Sequence, residues 1–111
     1  MKNLKIIFTI LILANPIFSD DDSAYKNALE LFMKGDYPKT ISSIAELHKT
    51  GKESFETHYL AGHANWKINE FQTAIGHWYS ARKLRPDDLN VVLDLLKAHN
   101  SLGQTRVAFA L

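Results

Sequence analysis

The chain has 111 residues, 13 Lys and Arg against 12 Asp and Glu, and no cysteine. That length bounds it at one small domain, and the even charge balance lacks the cationic footprint on which nucleic-acid affinity rests. With no disulfide available, helix packing has to hold the fold together, which is marginal at this size unless the packing is efficient or a partner adds surface.

Lys2 and Lys5 precede an apolar run, Ile6 to Ala14, then Asn15-Pro16 and a short exit to Ser19 before the acids Asp20, Asp21 and Asp22. A basic start, an apolar core and a small residue ahead of an acidic run is the order of a secretory signal peptide. The run is far shorter than the ~20 apolar residues that span a bilayer. Residues 1–19 are therefore expected to be a signal peptide cleaved after Ser19, although Ile17 at the −3 position is less usual than Ala. The expected location is periplasmic or secreted; the alternative is an uncleaved leader that anchors the chain in a membrane. Loss of Lys2 and Lys5 would turn the formal charge of +1 into −1. No cysteine follows the apolar run, which argues against a lipid anchor. The three acids read as a solvated spacer rather than a calcium site.

A first helix is expected from about Ser23 to Lys34, with Ala24, Ala28 and Leu31 on one face. Gly35 can take the left-handed conformation that ends it. Asp36 can accept from the free amides of the next helix, and Pro38 fits that helix's first turn. The second helix, about Pro38 to Lys49, buries Ile41, Ile44 and Leu47 and is broken at Gly51. A third, about Ser54 to Ile68, and a fourth, about Phe71 to Leu84, repeat the plan, with Asn69 as the cap between them. A fifth spans about Asp88 to Ser101. Such short connections make consecutive helices antiparallel neighbours, hence an all-α stack of helical hairpins.

The plan repeats in the sequence itself. Shifting the chain by 34 residues lays "KGDYPKTISSI" (34–44) on "INEFQTAIGHW" (68–78), so that Gly35, Tyr37, Ile41 and Ile44 meet Asn69, Phe71, Ile75 and Trp78. Ala28 meets Gly62, Leu47 meets Ala81, and Gly103 lies two periods after Gly35. A period of this length marks tetratricopeptide (TPR) repeats. The second copy resembles that family best: Gly62 fills the small site where helices approach, Ala74 and Trp78 keep the family's small-to-aromatic spacing, and Pro86 closes the unit. His58 and Asn65 stand where the family prefers Trp and Tyr, and the first copy has Thr40 for the small residue and Lys52 for the closing Pro.

The resemblance implies a right-handed TPR solenoid over residues 20–111, with repeats at about 21–54, 55–88 and an incomplete third at 89–111. Thr105 to Leu111 would form only ~10 Å of helix, and no polar cap covers the apolar end "VAFAL". Truncation is the expectation, with a shortened reading frame or pairing with another chain as alternatives.

Five histidines raise the question of a metal. His58 and His63 are five apart and diverge on a helix, whereas chelation from one helix needs four. His63 and His77 are expected on opposite surfaces, and no carboxylate is seen to complete a ligand set. The histidines are accordingly expected to be exposed or half-buried scaffold residues, with no metal and no cofactor. There is no nucleophile elbow, phosphate-cradling glycine loop or cysteine nucleophile, so the chain is read as non-enzymatic. Arg82, Lys83 and Arg85 sit where cations favour a helix C-terminus.

By the resemblance, the first helix of each unit lines a concave groove. The groove-facing positions hold Tyr25, Leu29, Phe32 and Met33 in the first unit and Tyr59, Leu60, His63, Trp66 and Lys67 in the second. The third supplies Asn90, Leu93, Asp94, Lys97 and Asn100. The residues expected to carry partner binding are Tyr25, Leu29, Phe32, Met33, Tyr59, His63, Trp66, Leu93 and Lys97, an aromatic and aliphatic stripe for an apolar helix or extended segment. The family's carboxylate clamp would fall at Tyr25, Leu29, Leu60, Asn90 and Asp94. None matches, and Asp94 would repel a carboxylate. The expected function is an interaction scaffold of the bacterial envelope with a protein or peptide partner, no nucleic acid, and no stable membrane insertion after cleavage. The alternatives are the leading module of a longer enzyme or receptor, and an adaptor that self-associates through its third unit.

Overall fold

The computed structural model describes residues 20–104, whose regular structure is helical throughout. It comprises α1 (Asp20–Met33), α2 (Tyr37–Lys49), α3 (Phe55–Lys67), α4 (Phe71–Leu84) and α5 (Leu89–Ser101). The leader, its cleavage site and the expected final half-helix lie outside the described residues. Each helix packs on the next in sequence, and α1 also touches α3. The helices thus stack as TPR-like hairpins, α1–α2 and then α3–α4, with α5 opening a third.

The helix ends explain the 34-residue period. At the close of α1, Gly35 adopts φ +85° and the Asp36 amide donates back to the Leu31 carbonyl at 2.9 Å. This left-handed closure satisfies carbonyls that the helix leaves unpaired. Asn69 repeats it after α3, at φ 67°, with the Glu70 amide donating to Asn65 O at 2.9 Å. Gly103 repeats it after α5. Asn tolerates that region because its short polar side chain bonds locally. Asn69 thus caps the C-terminal end of α3, as its alignment with Gly35 implies, and the N-capping position of α4 belongs to Glu70, which makes no side-chain cap bond. Elsewhere the caps follow the expected chemistry: the Asp36 carboxylate accepts from the Lys39 amide, Ser54 and Thr57 form a reciprocal capping box, and Asp88 accepts from Asn90 and Val91.

Two apolar clusters share α3. Ala28, Ile44, Leu60 and Ala61 join α1, α2 and α3. Phe55, Ile75, Trp78, Ala81, Val91, Leu95 and Ala98 join α3, α4 and α5. In the first hairpin Ala28, Ile44 and Leu47 are buried as expected, whereas Ala24, Leu31 and Ile41 are only half-buried. Gly62 is obligatory for packing: a Cβ there would lie 2.2 Å from Trp78 Nε1, inside the indole ring's contact surface. The indole instead seats against the glycine and donates to the Tyr59 carbonyl at 3.3 Å.

Candidate functional site

The stripe expected on α1, α3 and α5 divides into a packed seam and an exposed border. Tyr25 and Phe32 are half-buried against the first cluster, and Tyr59 and Trp66 against the second. Tyr59 stacks on Phe55 at 5.3 Å between ring centroids and meets His63 edge-on at 4.6 Å. His63 also lies 5.3 Å from the Trp78 ring and 6.4 Å from Phe32 of α1. Trp66 packs on Phe71 and Trp78. Leu60 is a correction to the groove reading: at 5% exposure it belongs to the core and cannot meet a partner. Its position on α3 turns it toward Ala28 and Ile44 instead.

Charge enters the seam from α5. The Tyr59 hydroxyl donates to Asp94 Oδ2, and His63 Nε2 lies 3.8 Å from the same oxygen. Burial, reinforced by the Asp94 carboxylate as acceptor, raises the Tyr59 phenol well above its ordinary range. Burial also lowers His63, outweighing the pull of Asp94 in the other direction. Asp94 is therefore a strut between successive units. The exposed border is Leu29 (37%), Met33 (78%) and Leu93 (50%), with Lys97 also open to solvent.

A second cluster gathers histidines from α2, α3 and α4. His58 of α3 and His77 of α4 face one another with Nδ1 atoms 3.0 Å apart. His48 of α2 lies 4.4 Å from His58 and 6.0 Å from His77 between ring centroids. Glu53 Oε2, from the α2–α3 connection, lies 3.5 Å from His58 Nε2. This corrects two expectations: a carboxylate does complete a plausible ligand set, and His58 and His99 are buried rather than exposed or half-buried. Spacing along α3 and the cross-hairpin pairing of His63 with His77 do not reveal the cluster, because the ring that meets His77 is His58 and a third comes from α2. The hairpin register was the available signal, since α3 and α4 residues 19 apart touch at both His58–His77 and Tyr59–Trp78. His63 and His77 have different neighbours: His63 meets Tyr59, Trp78 and Asp94, and His77 meets His48 and His58.

Two further polar groups, His99 and Arg85, tie neighbouring elements together. His99 is buried, with Nδ1 donating to Gln104 Oε1 at 2.7 Å and Nε2 accepting from the Tyr79 hydroxyl at 2.9 Å. Arg85 pairs with Glu56 and lies 4.3 Å over the Phe55 ring, a cation–π contact that ties α4's end to α3.

This arrangement defines a TPR-like all-α fold of sequentially stacked helical hairpins. No family model matches the sequence, and no curated protein matches it. Among solved structures, the fold is similar to a point mutant of MamA, a TPR-containing protein, with a TM-score of 0.72 over 82% of this chain and 67% of that one. At 18% identity the likeness is one of fold.

Proposed function

We propose that the chain is a non-enzymatic interaction scaffold of the bacterial envelope, binding an apolar segment of a partner protein along the face made by α1, α3 and α5. The observation that carries this reading is the exposed border Leu29, Met33 and Leu93 beside a seam already filled by Tyr59, His63 and Trp66. The seam supplies a rigid aromatic floor, and the border supplies the desolvation that a partner's side chains would complete. Export is supported by the order of charged, apolar and small residues in the first nineteen positions.

Because Tyr59 is tied to Asp94 and its neighbours, replacing it would confuse binding with folding. Met33 and Leu93 separate the two. The Met33→Glu/Leu93→Glu double variant is expected to melt within a few degrees of the parent, since surface changes cost about 0.5 kcal/mol or less. It should lose the proteins that the parent captures from envelope extracts. Undiminished capture by a folded double variant would refute this face as the binding surface.

A further inference from the structure

We infer that His48, Glu53 and His58 form a binding site for one divalent transition-metal ion of the zinc class, with His77 orienting His58 from its far side. The ligand atoms of the three residues lie within 4.8 Å of one another. One edge is already of coordination length: with metal–ligand bonds near 2.1 Å, two vertices of a tetrahedral site are about 3.4 Å apart. His58 Nε2 and Glu53 Oε2 are separated by 3.5 Å. Two imidazoles and a carboxylate select zinc, cobalt, nickel or copper over calcium and magnesium, which prefer oxygen alone.

The surrounding hydrogen bonds leave the required lone pairs available. A metal on His58 Nε2 places that ring's proton on Nδ1, where it can donate to His77 Nδ1 across the 3.0 Å contact. Metal-bound histidines are commonly fixed through their second nitrogen in this way. His48 Nε2 lies 2.8 Å from Thr57 Oγ1, and that hydroxyl is within reach of the Ser54 carbonyl at 3.0 Å. With the Thr57 proton given to Ser54, His48 donates from Nε2 and keeps Nδ1 bare. An ion has a way in, because the Glu53 side chain is 59% exposed while the His58 side chain beneath it is only 9% exposed. A bound ion would join the end of α2, the α2–α3 connection and α3. It would thus staple the first hairpin to the second.

The test uses the full chain without a polyhistidine tag, titrated separately with Zn²⁺ and Co²⁺ by calorimetry and thermal melting. The expected result is saturable binding of one ion per chain, with a rise in Tm on the order of 10 °C at a hundredfold excess over Kd. Co²⁺ should show the visible absorption of a four-coordinate site. Glu53→Gln and His48→Gln should each weaken binding at least tenfold, and His77→Gln by about 10- to 100-fold. His63→Gln, outside the cluster, should bind as the parent does. Melting in the absence of metal shows that each variant is folded; exposed Glu53 makes Glu53→Gln the least perturbing of them. No saturable binding by the parent would overturn the site, as would equal affinity in folded Glu53→Gln and His48→Gln. Unchanged affinity in His77→Gln would remove its orienting role.

Discussion

At the scale of single residues, Asp94 shows how one carboxylate can join two repeat units. It accepts from Tyr59 and stands near His63, so the α3 and α5 faces are held in register by a charged acceptor as well as by apolar contact. A hydrogen bond to a charged group stabilises by about 1.5–3 kcal/mol, more than one between neutral partners. His63 itself has a pH consequence. Its folded-state pKa lies below the ordinary 6.5, mainly through burial, so the unfolded chain binds the proton more readily. The associated stability is complete above pH 6.5 and declines as the pH falls through the lowered value. The His63→Gln variant should therefore lose less Tm than the parent between pH 7 and pH 5, and an equal or larger loss would contradict this assignment. The Tyr59–Asp94 pair was not legible beforehand. The repeat placed both residues on the groove, but only the stacking geometry turns one toward the other across 35 positions. The histidine cluster escaped for the same reason: its members come from three helices, and nothing in their local spacing announces them.

At the scale of helices, most of the fold was legible. The expected range of α4 is matched at both ends, and those of the other helices to within three residues. The cause is local chemistry: Gly35, Asn69 and Gly103 end helices, and Asp36, Ser54 and Asp88 begin them. Such signals act within a turn and need no tertiary knowledge. Gly62 was legible through the repeat alone, and the structure supplies its physical reason. Gly62→Ala must displace the Trp78 indole, and overpacking of this kind costs about 1–3 kcal/mol. Near-UV circular dichroism should register the displaced tryptophan, together with a Tm lowered by roughly 10 °C. Gly76, also helical but with no heavy atom within 4 Å of an added Cβ, is the natural control. Gly76→Ala should stabilise by about 0.5–1 kcal/mol, because alanine loses less backbone entropy in a helix. If both substitutions moved Tm in the same direction, the close approach of α3 and α4 would not be the reason for Gly62.

At the scale of the molecule, α3 is the shared wall of two cores and the divider between two surfaces. One side carries the seam of Tyr59, His63 and Trp66 with its exposed apolar border; the other carries His48, Glu53, His58 and His77. Repeat stacks distribute stability through neighbour contacts, so each hairpin depends on the face it buries against the next. This frees the surface residues to differ between copies, which is why composition and periodicity identified the scaffold and left the partner open. The central claim is that the face made by α1, α3 and α5 receives that partner. Its most direct test is site-specific photo-crosslinking in intact envelopes, with the reactive side chain placed at Met33, at Leu93 or, as a comparison, at exposed Glu46 on α2. Adducts with the same partner protein from positions 33 and 93, and none from 46, are the predicted result. Adducts from 46 alone, or equally from all three positions, would contradict the account.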